Sequence, residues 1–400
     1  MMKLGVSGCR RGTSFAEAAR IAGFQIHAVS DPNTDTRNVL GDAATVPSSR
    51  RFADYGQMIG SGVEAVLVSS PMPNHTPQAV MALQQDIHVL SEVTAAVTFN
   101  QCRALRDAAA GSKAIYMMGE NYTYMKANQL VLAMARQGLF GHIYYAEGQY
   151  LHNVRDLGIR TDGSHTWRQY WQLSRRGLTY PTHSIGPVLQ WLDDRVVSLV
   201  ARGTGTHTWK QDVSGDDTAV MLCHTAKGAM VNIRTDLHSK RPHNMAYYLL
   251  QGTKGCYEAP RGLGDDHKIW IEGVFEDDRY PTNTWGYQWP DLKWHSLWDF
   301  QDEYLPQDWK DHEEKARDSG HGGSDLIQLF DFSRAIRGEM ASPIDAYRAL
   351  DWTLTALVSE QSVEQDGTLL SVPDPRTDEL DAAAEREQAE GRHQAFKNSV

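Results

Sequence analysis

The first 120 residues alternate short apolar runs with helical spacings, and this rhythm restricts the fold more than any other feature of the chain. Strands are expected at residues 3–7, 24–30, 63–69, 87–90 and 114–118. Helical spacing occupies 14–22, 51–59, 76–84 and 100–110. A run such as Val-Glu-Ala-Val-Leu-Val-Ser, rich in β-branched residues, suits a parallel strand covered on both faces. Strand–helix alternation at this spacing predicts an α/β, doubly wound parallel sheet.

The pattern changes after residue 120. Helices are expected at 127–137, 183–192, 324–336 and 346–359, with extended segments at 142–150, 197–203, 218–224, 230–236, 246–251 and 269–271. These predict an α+β domain with an open, mainly antiparallel sheet. The organisation is then a nucleotide-binding domain over 1–120, a substrate and oligomerisation domain over 121–373 and a charged tail over 374–400. The tail lacks an apolar stripe and reads as a solvated helix or a frayed end. Residues 285–309 hold five of the eleven tryptophans without a clear period and read as a long ordered loop for stacking on a sugar or filling a subunit interface.

Net charge is −11, which argues against nucleic-acid or anionic-membrane partners, since both need a basic face. The four cysteines (Cys9, Cys102, Cys223 and Cys256) form no CxxC pair, so reduced thiols in a cytoplasmic protein are expected. His142, His165, His224, His238 and His243 show no metal-ligand spacing and read as surface or core residues; no metal is expected.

Gly8-Cys9-Arg10-Arg11-Gly12 follows the first strand and opens the first helix, the place of a dinucleotide-binding turn. Its spacing is a shortened GxxxG, which a tight structural turn would also explain. Asp31 ends the second strand, where a carboxylate accepts hydrogen bonds from an adenosine ribose and repels a 2′-phosphate. NAD is therefore expected rather than NADP; a cap for the Asp-Pro-Asn turn is the alternative. Ser70, Asn74 and His75 follow the third strand and Glu92 the next, so strand ends that line a ligand crevice carry polar groups in register.

Ser-Pro-x-x-x-His at 70–75 and the acidic residue at 92 resemble the Gfo/Idh/MocA oxidoreductases, in which a Rossmann domain precedes an α+β domain. Most members of that family have Glu-Lys-Pro where this chain has Glu92-Val93-Thr94. The stretches Glu120-Asn121-Tyr122, Glu147-Gly148-Gln149-Tyr150-Leu151-His152, Tyr180-Pro181-Thr182-His183 and Gly320-His321-Gly322-Gly323-Ser324-Asp325 resemble the NAD-dependent glycosidase branch, glycoside hydrolase family 109 in particular, which also lacks that Lys. The phosphate turn is a residue short, and Asn153 stands where that branch tends to have Asp.

The resemblance implies hydrolysis through transient oxidation. A sugar C3 hydride passes to NAD, the acidified C2 proton is removed, the C1 substituent leaves, water adds and the hydride returns. It implies His183 for the proton transfer at C3, Tyr180 for C2 proton removal or sugar positioning, Glu120 near the nicotinamide side of the sugar and His152 at the leaving group. His321 is expected against sugar or nicotinamide. Read as residues alone, each has a plain structural alternative: a capping His183, a packed Tyr180, a hinge carboxylate at Glu120 paired with an arginine, a solvated strand-end His152 and an exposed His321 at a Gly-rich helix entry. Arg155, Arg168, Lys240 and Arg241 stand out in an acidic chain and suit an anionic sugar such as sulfoquinovose, alongside N-acetylgalactosamine as the other substrate. A homo-oligomer is expected, as in the family. The competing readings are a sugar dehydrogenase with net NADH release and a catalytically inactive sugar-binding protein.

Overall fold

A computed structural model describes residues 1–160, 162–209, 213–274, 284–286 and 292–390. Six parallel strands form the first sheet: β1 (Met2–Ser7), β2 (Phe24–Ser30), β3 (Arg51–Phe52), β4 (Ala65–Val68), β5 (His88–Ser91) and β6 (Tyr116–Met118). Their order, β3-β2-β1-β4-β5-β6, is the doubly wound dinucleotide-binding arrangement, so the expected Rossmann sheet is present. Strand order reverses between β1 and β4, which opens a crevice at their carboxyl ends. β4 is buried throughout, as an apolar run covered by helices on both faces must be.

Among the described residues the second sheet has nine strands: β7 (Ile143–Leu151), β8 (Val196–Gly203), β9 (Thr218–Thr225), β10 (Met230–Asp236), β11 (Asn244–Gly252), β12 (Gly255–Glu258), β13 (Lys268–Ile271), β14 (His295–Ser296) and β15 (Leu370–Ser371). In the order β14-β13-β12-β11-β7-β10-β9-β8-β15 only β7 and β10 run parallel. β9 alternates buried and exposed residues, so one face of the sheet packs inward and the other is open.

Three expectations need correction. The helix Thr34–Ala43 has mostly exposed residues and almost no apolar stripe, which is why periodicity missed it; Asn33 caps it by accepting from Thr36 N–H. The tryptophan-rich stretch is not a loop throughout. Past its undescribed part it forms β14, a 3-10 turn and two helices, with Trp309 buried and its Nε1 donating to Tyr124 O. Trp289 lies outside the described residues.

The third concerns the stretch after Pro375, which is neither frayed nor freely solvated as far as residue 390. It forms the helix Glu379–Glu390, which buries Leu380, Ala383 and Ala384 on the Rossmann helix Phe99–Gly111. The Glu387 carboxylate accepts from Phe99 N–H and Asn100 N–H at 3.1 and 2.9 Å, at the positive end of that helix. A small Ala-rich face suffices because ion pairing and capping assist it. Glu387→Ala is expected to lower stability by about 1–2 kcal/mol in a urea melt, since it leaves the Phe99 and Asn100 N–H groups without this acceptor. Residues 391–400 are outside the described range.

Candidate functional site

The helix Thr182–Leu192 is buried from Thr182 to Trp191 and lies on β7. Gly148 in β7 permits this approach: a Cβ there would come within 2.2 Å of the Ser184 carbonyl oxygen. On another side of the helix, Gly186 packs against Trp352 and the Glu120 side chain. Gly148 and Gly186 therefore set how far the helix that starts after Tyr180 sinks against its neighbours.

Glu120 follows β6 of the Rossmann sheet, and His183 enters from the second sheet's helix. His183 Nδ1 meets Glu120 Oε1 at 2.6 Å, and both side chains are buried. Tyr122 N–H also donates to Oε1. An ionised Glu120 makes Nδ1 the donor nitrogen of His183 and leaves Nε2 as the basic one. Glu120 Oε2 is buried with no hydrogen-bond partner. Buried carboxylate oxygens are rarely left unmet, so this one is suited to a donor from outside the protein.

Tyrosines enclose the pair. Tyr122 stacks on the His183 ring at 4.1 Å between centroids, Tyr180 meets it edge-on at 4.6 Å and Tyr150 lies tilted at 5.1 Å. Tyr248 donates to the His183 carbonyl. Burial raises the Tyr180 hydroxyl well above the usual phenol range, with the Tyr150, Glu92 and Glu120 charges adding to the effect, so it is a neutral hydrogen-bond donor at physiological pH. Tyr150 O–H lies 2.7 Å from His152 Nδ1. Burial first, then the nearby His243, Arg168 and His183, lower His152 to about 4. It is therefore neutral near pH 7 and holds no proton ready for a leaving group.

The residues expected to hold the cofactor gather at the carboxyl ends of β1, β2, β4 and β5. Gly8 has φ +84°, and a Cβ there would lie 2.3 Å from the Ser69 carbonyl oxygen, so only glycine fits where the two central strands open. A Cβ on Gly12 would press on Val6, which makes it the close-packing glycine of the turn. Asp31 Oδ2 accepts from Cys9 N–H at 2.9 Å and Oδ1 from Asn33 N–H, fixing the carboxylate beside the start of the first helix. Arg10 is exposed, and Ser70 Oγ donates to Gln78. His75 is buried and bridges Ser70 O and Thr94 O, so it ties two strand-end loops, with Asn74 partly buried just ahead of it.

Arg11 reaches furthest. Its guanidinium meets Glu92 at 2.8 Å and forks onto both Asp325 oxygens at 2.8 and 2.9 Å. Burial would raise Asp325, but hydrogen bonds from His321 and Arg11, with the Arg11 charge, outweigh it and hold the carboxyl at about 2. His321, at φ 54°, joins the same carboxylate from the Gly-His-Gly-Gly turn. The glycine-rich segment of the second half is thereby fastened to the Gly8–Gly12 turn of the first.

Among the expected substrate cations, Arg168 is the one whose charge reaches Tyr150, His152 and Tyr180; its Nη1 donates to Gln172. Arg155 and Lys240 both lie over the Trp209 ring, at 3.6 and 4.3 Å. Arg241 is exposed on the neighbouring loop. Trp285 and Trp294 are exposed. Sequence reasoning gave no role to Tyr122, Tyr150, His243 or Asp325. The first two and Asp325 stood inside motifs quoted above, but a motif does not say which of its side chains face one another.

These residues fit a dinucleotide without a 2′-phosphate: two glycines where backbone must approach, a carboxylate at the end of β2, and an unmet buried oxygen at the seam. Known proteins agree. Residues 2–120 match the oxidoreductase family with an NAD-binding Rossmann fold, and residues 124–379 match the glycosyl hydrolase 109 C-terminal domain. A glycosyl hydrolase family 109 protein of Streptomyces filamentosus is 30% identical over 93% of this chain and 77% of its own length. An alpha-N-acetylgalactosaminidase of Shewanella oneidensis is 28% identical over 78% of this chain and 69% of its own. In fold, the chain resembles an inositol dehydrogenase homolog from Azotobacter vinelandii, solved with NADH and myo-inositol, at a TM-score of 0.68 and 16% identity over 92% of this chain and 97% of that one. An NAD-binding oxidoreductase from Klebsiella pneumoniae gives 0.74 at 16% identity, over 93% and 98%. The chain belongs to glycosyl hydrolase family 109: it is a glycosidase built on an NAD-binding Rossmann domain.

Proposed function

We propose that the enzyme hydrolyses a glycoside by oxidation at the sugar's C3, elimination across C1 and C2, addition of water and re-reduction. The observation that carries this reading is the buried Glu120–His183 pair, with Glu120 Oε2 unmet, walled by Tyr122, Tyr150 and Tyr180 where the nucleotide-binding sheet meets the second domain. Bound NAD supplies the reversible hydride acceptor. Asp31 and the Gly8–Gly12 turn would hold its adenosine and pyrophosphate, and Glu92 and Arg11 border the same crevice.

His183 Nε2 takes the C3 hydroxyl proton as the hydride leaves, and Glu120 stabilises the imidazolium that forms. The C3 ketone acidifies the C2 proton. Neutral Tyr180 suits hydrogen bonding to the sugar, and the C2 proton departs to a neighbouring phenol oxygen. The electron pair left on C2 forms the C1–C2 double bond and expels the C1 substituent. Water adds at C1, C2 regains a proton, and returning the hydride to C3 restores the sugar, so the net change is hydrolysis. No pair of carboxylates flanking the glycosidic bond is needed.

The substrate named for relatives is an α-N-acetylgalactosaminide, and we infer the same class here. Arg168 at the cleft, with Arg155 and Lys240 on Trp209, favours an anionic sugar such as a sulfoquinovoside as the second reading. We also infer that a second copy of the chain covers the open sheet face, where Val220, Leu222 and Met230 are exposed.

Incubation with p-nitrophenyl α-N-acetylgalactosaminide and p-nitrophenyl sulfoquinovoside, following nitrophenol and 340 nm absorbance together, tests the reaction. The expected result is nitrophenol release from one of them without net NADH. Stoichiometric NADH would make the enzyme a dehydrogenase instead.

A further inference from the structure

We propose that Tyr150, His152 and His243 form a proton relay that carries a substrate-derived proton from the buried site to solvent, with His243 as its outer end. The inference rests on the elimination reading above, since that reading requires a proton to leave C2.

The groups are placed in sequence. The Tyr122 ring lies flat on His183 and meets the Tyr150 ring edge-on at 5.8 Å, while Tyr150 itself lies 5.1 Å from the His183 ring, so the Tyr150 hydroxyl is the inner end of the path. Tyr150 in turn meets His152 Nδ1 at 2.7 Å. His152 is half-buried, and its ring packs edge-to-face on His243 at 4.7 Å between centroids, so a water beside the two rings can link them. His243 is exposed, and its Nε2 accepts a 3.3 Å contact from Asn153 N–H that orients the ring.

A merely structural role does not account for this order. Phenylalanine at 150 would fill the same apolar space without a hydroxyl that must find a partner in it. Tyr150 and His152 sit at the end of β7, and His243 on the loop entering β11. Two separate segments thus converge on one line from the buried site to the surface. His243 belongs to the set of histidines for which sequence alone offered no function.

The transfer balances without a charge resting on His152. As the Tyr150 oxygen takes the C2 proton, its own proton moves outward to His152 Nδ1, and His152 releases its Nε2 proton to water, from which His243 Nε2 takes it up by giving up its 3.3 Å contact with Asn153 N–H. Running in reverse, the same steps return a proton to C2 after water has added. That proton then comes from solvent, so the relay leaves an isotopic record independent of turnover rate.

Turnover of a nitrophenyl glycoside in D2O, with deuterium at C2 of the released sugar read by NMR, tests this. The wild-type enzyme is expected to place deuterium at C2. His243→Ala, an exposed substitution, is expected to lower that fraction several-fold at low buffer concentration, with added imidazole restoring it. Tyr150→Phe should lower it too, without rescue. Equal deuterium in wild type and His243→Ala, with no response to imidazole, would overturn the relay while leaving elimination intact. Nitrophenol release with no deuterium at C2 in the wild type would overturn the relay, because no proton would then reach C2 from solvent.

Discussion

Replacing Glu120 by Gln is expected to lower kcat about 10³-fold with little change in substrate affinity. The substitution keeps the side chain's shape beside Gly186 and its hydrogen bond to His183 Nδ1. It removes the negative charge that stabilises the imidazolium when His183 accepts a proton. In a buried site that charge is poorly screened, so its loss falls on the transition state, not on binding. His183→Ala should cost a similar factor. Because the two act as one unit, the double variant should be no slower than the slower single one. Steady-state kinetics on the three proteins provides the check. A fall of less than tenfold for Glu120→Gln would remove this pair from the chemistry.

The second large effect is on stability. Asp325→Ala should destabilise the protein by about 3 kcal/mol, because it strands much of the Arg11 guanidinium between halves of the molecule that it now ties together. The value is moderated because Arg11 is partly exposed and keeps Glu92. A double-mutant cycle with Arg11→Ala, followed by urea unfolding, should show strong coupling between the two positions; simple additivity would disprove the tie. The pH dependence has a definite sign. Asp325 is held at about 2, below an unfolded carboxyl near 3.9. Its contribution is therefore fully present above about pH 4 and lost as pH falls toward 2. The wild-type and Asp325→Ala proteins should converge in stability over that range.

Much of the Rossmann half was legible because its cause is local. A strand such as β4 must be apolar along its whole length, and helices between parallel strands must return the chain, so the alternation alone implies the sheet. The helix Thr34–Ala43 escaped because a mostly exposed helix has little periodic apolar face to read. The helix Glu379–Glu390 looked solvated because much of what holds it is polar: a carboxylate on another helix's N-terminus and an Arg106–Asp381 pair.

Sequence alone determined the residue types of the site and the elements they follow: Gly8 after β1, Asp31 after β2, Glu120 after β6, His183 at a buried helix start. Tertiary structure decided which of them meet. Glu120 and His183 lie 63 positions apart, Arg11 and Asp325 314 apart, and nothing in the chain's periodicity encodes such pairings. Two packed domains bring these charges out of water, where each has to find a partner. That burial, which no single segment carries by itself, turns scattered ionisable side chains into a site.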